Sequence, residues 1–588
     1  MTGRPAHAPE RSDCRRRSPA LVHIVAAGTF AALLSGCSAS RDLPTAVSAV
    51  ALSRTCAGES PISLNAAQST VVNCDGGSGT VLAGGGASYL IVAQLAGESS
   101  SARSVTYTLT ASASSASGNL AADPGPAGGA GEQPADAQAA FDLRLRSRER
   151  SAAVPASELL RDAPSRSRAA MQTVPAGGSL RAFRVLTDYT ASKDVWTTVT
   201  ARLAYVGTNL LLYTDTLTPN AGFSAAALQT YGSYVDRTLY PLDVNAFGAP
   251  SDVDGNGHVI MLMSPAVNAG TPRTTCYTQG YVAGFFNGED FNTAADPNSN
   301  RGEIFYSLVA DPQGRFGCVH TAGDVSSMMP AVFLHEMQHL ISYARHVVQD
   351  GGKPAAGWVD EGMSLVAEEL GSQYYEARCP PPACRSNPAQ LLPDSSLGFA
   401  RNFSLDSYFF GESPDTAGIT GQTDGALGTA WRGGAWALMR WLGDHMPPDF
   451  YQRMEAASGS GIAAIESASG GQSFGTLFAN FGLALYADSL VGLPRATVPA
   501  ADRFASRNLR ALWASVGQAY GAAFPIVVHP VSAGATPMTL SVGGMSFWRL
   551  DTPAGAAVDT LHFSAPGGGP LDPALGPQLA IFRLPPGQ

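Results

Sequence analysis

Val332-Phe-Leu-His-Glu-Met-Gln-His-Leu-Ile341 is the stretch on which the reading of this chain turns. Apolar residues surround His335, Glu336 and His339 in a pattern that predicts one helix, from Met329 to about Val348, with Pro330 in its first turn. On a helix, positions i and i+4 lie on one face. His335 and His339 can therefore present both imidazoles to a single metal ion, while Glu336 projects beside them. A carboxylate there can hold and deprotonate a water without being a ligand itself. A catalytic zinc takes three protein ligands and leaves one position for water. Two histidines are too few, so a third ligand has to come from elsewhere.

Moving downstream, Trp358-Val-Asp-Glu-Gly-Met-Ser364 offers Glu361, 22 positions after His339. Gly351, Gly352 and Pro354 form a turn that lets a second helix, Trp358 to about Leu370, fold back beside the first. The result is a ligand set of two histidines and one glutamate. A three-histidine set of the metzincin type needs His-x-x-Gly-x-x-His straight after the motif. His346 has the wrong spacing and no preceding glycine, which excludes it. The bland alternative is a helix carrying two hydrogen-bonded histidines. Histidine ligands need outer partners to orient them, and Asp360 and Glu368 are the candidates.

Further stretches extend the pattern. Asp252-Val-Asp-Gly-Asn-Gly-His-Val-Ile-Met-Leu262, Gly280-Tyr-Val-Ala-Gly-Phe-Phe286 and Glu303-Ile-Phe-Tyr306 precede the metal helix. With the two motifs above, they resemble the hyicolysin-like metallopeptidases of the gluzincin group, over residues 170 to 520 or so. The resemblance implies a secreted zinc endopeptidase with one catalytic ion. It implies His335, His339 and Glu361 as ligands and Glu336 as catalytic base. In such sites an Asp lies one turn beyond the ligand glutamate; here Leu365 stands there, a departure for which Glu368 could substitute. The resemblance also implies a cleft-edge strand that pairs with the substrate backbone, expected at Ile304, Phe305 and Tyr306. Tyr374, Tyr375 and Tyr408 are candidate oxyanion donors, each also explained by packing. Asp252-Val-Asp-Gly-Asn-Gly starts like a calcium loop, but Met263 stands where the twelfth-position Glu belongs. A turn feeding a strand explains it better.

The ends carry other signals. Arg15-Arg16-Arg17, the apolar run Ala20 to Leu34 and then Leu34-Ser-Gly-Cys37 look like a bacterial lipoprotein signal, with Cys37 as the lipidated residue. A cell-envelope location with a lipid anchor, outer membrane or cell surface, is expected. Six further cysteines suit an exported chain, paired by proximity as Cys56–Cys74, Cys276–Cys318 and Cys379–Cys384. The net charge of −10 argues against nucleic acid as partner. A protein or peptide substrate and a monomeric chain are expected.

At 588 residues the chain exceeds one core. The expected organisation is a signal peptide at 1–36, a β-sandwich-like domain at 37–117 and a Gly/Ala/Pro linker with a charged segment at 118–170. A metallopeptidase domain follows at 171–523 and a β-rich domain at 524–588. Sheet first and helices after within one unit predict an α+β zincin-type domain, a mixed sheet followed by a helical lobe, flanked by small β-sandwich-like domains. Two other functions fit the same residues. One is a non-catalytic surface lipoprotein that keeps a peptidase fold; the other is a zinc hydrolase of a non-protein amide.

Overall fold

The computed structural model describes residues 54–112, 137–151, 174–378, 418–421 and 431–588, less short gaps at 58–59, 100–102, 189–193, 293–295, 489, 491–492, 507, 510–525 and 535. The signal segment with Cys37, the Cys379–Cys384 couple and Tyr408 lie outside the described residues.

Strands β1 (Arg54–Thr55), β2 (Ser69–Asn73), β3 (Gly79–Ala83), β4 (Ser88–Leu95) and β5 (Ser104–Ala111) open the chain, and helix α1 (Ala137–Ser151) follows. Next come β6 (Leu180–Asp188), β7 (Val195–Val206), β8 (Leu210–Asp215), α2 (Ala225–Tyr234), α3 (Tyr240–Phe247), β9 (Val259–Met263), α4 (Cys276–Gln279), β10 (Gly284–Phe286) and β11 (Ile304–Ser307). Helices α5 (Ala322–Tyr343), α6 (Gly357–Arg378), α7 (Trp431–His445), α8 (Phe450–Glu455), α9 (Gly461–Ala468) and α10 (Phe474–Ala487) then dominate. Strands β12 (Val528–Pro530), β13 (Met538–Ser541), β14 (Met545–Asp551), β15 (Val558–Ser564) and β16 (Pro577–Arg583) close the chain. No described helix is long and apolar enough to cross a membrane.

The central part carries a mixed sheet in the order β10-β11-β9-β8-β7-β6. Strands β8, β9 and β11 run parallel and β10, β7 and β6 run antiparallel to their neighbours. Every residue of Val259–Met263 is buried, as a continuous apolar run flanked on both sides requires. The expectation of a substrate strand at Ile304–Tyr306 is corrected here. Strand β11 lies inside the sheet, with β10 on one side and β9 on the other, so its backbone groups are already paired. The sheet edge beside the helix that carries His335 and His339 is β10.

The flanking β-segments also need correction. Separate domains are expected from the sequence, but their strands interleave in two shared sheets, β1-β2-β16-β4-β14-β12 and β13-β5-β15-β3. Side-chain alternation explains how the six-stranded sheet lies inside the molecule. From β4, Tyr89, Ile91, Ala93 and Leu95 join the core between the two sheets, while Leu90 and Val92 join the larger core around the central sheet and the helices. Strand β16 divides likewise, with Leu579 and Ile581 on one side and Ala580 and Phe582 on the other. Gln94 Nε2 donates to Phe478 O of α10 (2.9 Å), and Gln578 Nε2 donates to Gly475 O (2.8 Å). Disulfides join Cys56 to Cys74 and Cys276 to Cys318, the two expected pairs that fall among described residues.

Candidate metal centre

Helix α5 begins earlier than its apolar pattern suggests. Thr321 caps it, its Oγ1 accepting from Asp324 N (3.1 Å) while Asp324 Oδ2 accepts from Thr321 N (2.7 Å). Pro330 therefore lies inside the helix rather than in its first turn. A capping box ahead of the apolar run was the missed signal. The helix carries His335, Glu336 and His339, all buried. Helix α6 folds back against it and carries Asp360, Glu361 and Glu368, also buried.

The side chains converge as the spacing requires. One ligand atom each from His335, His339 and Glu361 lie within 4.8 Å of one another. The two Nε2 atoms are 3.1 Å apart and stand 3.6 Å and 3.8 Å from the Glu361 carboxylate oxygens. Each ring turns its other nitrogen to an acid. His335 Nδ1 meets Glu368 Oε1 at 2.7 Å, and His339 Nδ1 meets Asp360 Oδ1 at 3.0 Å. The first contact is a hydrogen bond; the second has the distance of one but not the angle. Carboxylates on both Nδ1 atoms leave both Nε2 atoms facing Glu361, the orientation that metal-binding histidines take from their outer partners. Leu365 is fully buried among apolar residues, and the acid that meets His335 is Glu368, one turn further on.

Charge states agree with a metal site. Burial, with Arg146 adding to it, holds the His339 imidazolium pKa well below the usual range, so the ring is neutral. Burial works to raise the Glu361 pKa, but Arg432 and the two histidines outweigh it and hold the carboxyl below its ordinary value. Neutral imidazole and ionised carboxylate are the states a divalent ion binds. Neither Glu361 oxygen makes a well-aligned hydrogen bond among the described residues. A buried, ionised carboxylate facing two imidazole nitrogens fits a cation such as zinc.

Arg432 was not foreseen. It is fully buried in the first turn of α7, where its Nη2 pairs with Glu361 Oε2 and lies 3.2 Å from His335 Nε2. Guanidinium and metal ion would compete for one carboxylate. An arginine among the tryptophans and aliphatics of Trp431–Leu442 was the available signal, since a buried arginine needs an acid. Glu336 is 1 % exposed, and its Oε2 accepts from Phe286 N of β10 (3.0 Å). Burial first, and Asp142 second, push its carboxyl well above the usual range. Asp142 belongs to α1 and lies within 4.8 Å of His335 and Glu336. The charged stretch before residue 170 thus reaches the centre of the site.

The other candidates fall elsewhere. His346 faces Glu455 (3.7 Å) on a π-helical turn after α5. Tyr374 is half-buried near the end of α6. Asp252, Asp254 and Glu303 gather within 4.8 Å in a second acidic group. Its loop is the expected turn into β9, with Gly255 and Gly257 at positive φ, and the third acid comes from the lead-in to β11.

No family model matches this chain. A neutral metalloprotease of Staphylococcus hyicus, ShpI, is 26 % identical over 171 residues, which is 29 % of this chain and 36 % of that protein. The chain thus matches about a third of its relative's length. The likeness is distant, and it points to a metalloprotease.

Proposed function

We propose that this chain is a zinc-dependent endopeptidase of the gluzincin type, exported and lipid-anchored through Cys37. The observation that carries the reading is the convergence of His335, His339 and Glu361, with Glu368 and Asp360 behind the two rings. The three converging residues would hold the ion. Zinc, when bound, supplies a Lewis acid that lowers the pKa of water to about 7 and polarises a carbonyl.

The chain's own residues do the rest. Glu336 takes a proton from the attacking water and passes it to the leaving nitrogen. The water oxygen bonds to the carbonyl carbon, the C–N bond breaks, and an acid and an amine result. Strand β10, whose Phe286 N touches Glu336, is the sheet edge on which an extended substrate would lie. Arg432 keeps Glu361 ionised; breaking so buried a pair from one side costs about 3–5 kcal/mol. The lipid anchor rests on Arg15–Arg17, the apolar run after them and Leu34-Ser-Gly-Cys37.

Casein cleavage with Glu336→Gln as control tests the proposal. The variant should keep its zinc and lose at least about 100-fold in rate. Equal cleavage by the variant would remove Glu336 from the reaction. Zinc without cleavage in either chain would favour the non-catalytic lipoprotein.

A further inference from the structure

A sheet edge exposes unpaired N–H and C=O groups to whatever extended chain arrives. Here α1 covers that edge, and does so with polar side chains. Gln138 Oε1 accepts from Ala283 N (2.6 Å), and Gln138 Nε2 donates to Gly284 O (2.8 Å). Arg146 Nη2 donates to Phe286 O (2.5 Å), and Glu149 Oε1 accepts from Gly288 N (2.7 Å). Phe141 packs on Phe285, ring centroids 4.9 Å apart. Between these anchors Asp142 approaches His335 and Glu336. The contacts follow the sequence spacing 138, 141/142, 145/146 and 149, one face of one helix.

Resting on the peptidase reading, we propose that α1 is an intramolecular inhibitor of this site. It occupies the backbone groups of residues 283–288 that a substrate would use and puts the Asp142 carboxylate beside the catalytic pair. The face it buries is mostly polar, Gln138, Asp142, Arg146 and Glu149 beside Phe141 and Leu145. A helix that is a permanent part of a core buries an apolar stripe, whereas surfaces that separate are more polar. In the sequence, α1 stands between a Gly/Ala/Pro/Ser-rich stretch at 113–136 and a stretch at 152–173 containing Pro155, Arg161, Pro164, Arg166 and Arg168. A tethered segment competes at an effective concentration of about millimolar, above that of most peptide substrates. Displacing α1 is then the activating event.

Two variants of the full chain test this. Gln138→Ala with Phe141→Ala removes anchors and leaves the charges. Arg146→Ala with Glu149→Ala removes an ion pair together, so that neither charge is stranded. With zinc content and circular dichroism unchanged, either should cleave casein at least about tenfold faster than the parent. The Gly284 and Gly288 amides should also exchange hydrogen faster. A folded variant that cleaves no faster, or whose amides exchange no faster, overturns the inhibitory role. Adding Glu336→Gln separates the two claims. If it abolishes cleavage in parent and variants, and these cleave alike, the peptidase reading survives and the inhibitor falls. If the gain persists despite Glu336→Gln, or zinc-loaded variants with freed amides cleave nothing, the peptidase reading falls and takes the inhibitor with it.

Discussion

The ring nitrogens of His335 and His339 are oriented by two acids of α6, Glu368 (2.7 Å) and Asp360 (3.0 Å). Outer partners of this kind raise ligand basicity and fix the tautomer, and losing one typically costs 10–100-fold in metal affinity. Glu368→Gln should therefore weaken zinc binding by about 10–100-fold in a chelator competition, with the fold unchanged. Undiminished affinity would make the contact incidental. Individual residues were legible where chemistry is local: two histidines a helical turn apart must share a face, whatever lies around them. Arg432 was not legible, because its contact with His335 spans 97 positions. Asp142 was hidden for the same reason. No local spacing rule links a charged segment before residue 170 to Glu336.

Helices α6 and α7 meet closely enough to set the site. Trp436 Nε1 donates to Glu369 Oε2 (2.9 Å), and Arg432 crosses to Glu361. Gly362, next to Glu361, makes the approach possible. A Cβ there would stand 2.9 Å from Ala435 O and 3.0 Å from Met439 Cγ. Gly362→Val should cost about 1–3 kcal/mol in urea unfolding through overpacking and loosen zinc binding as well, since it shifts Glu361. Stability equal to the parent would contradict the close helix contact. Helices and buried strands were readable from periodicity, and their ends were not. The start of α5 depends on the Thr321–Asp324 capping box rather than on apolar spacing. The order of strands in the sheet was invisible too. Strand β11 reads like an edge by its position before the metal helix, yet pairing places β10 outside it.

At the scale of the molecule, the chain's two β-segments share their sheets with each other. Strand β4 lies between β16 and β14, so the first and last thirds of the chain share one sheet. Glu98, just after β4, accepts from Trp358 Nε1 (2.9 Å) at the start of the motif helix α6. Ser69 Oγ of β2 donates to Asp502 Oδ2 (2.6 Å) beyond α10. The two β-segments thus pack on the helical part of the chain, which carries the candidate metal centre. Alternating strands at both ends announced a β-structure; which strand pairs with which across more than 400 positions, as in β4 with β14, has no local signature. The proposed activity depends on the candidate metal centre of His335, His339 and Glu361. Elemental analysis of the purified full chain measures it most directly. About one zinc per chain is expected, lost on Glu361→Ala. A parent chain that takes up no zinc, or a folded Glu361→Ala chain that still holds one with undiminished affinity, would contradict it.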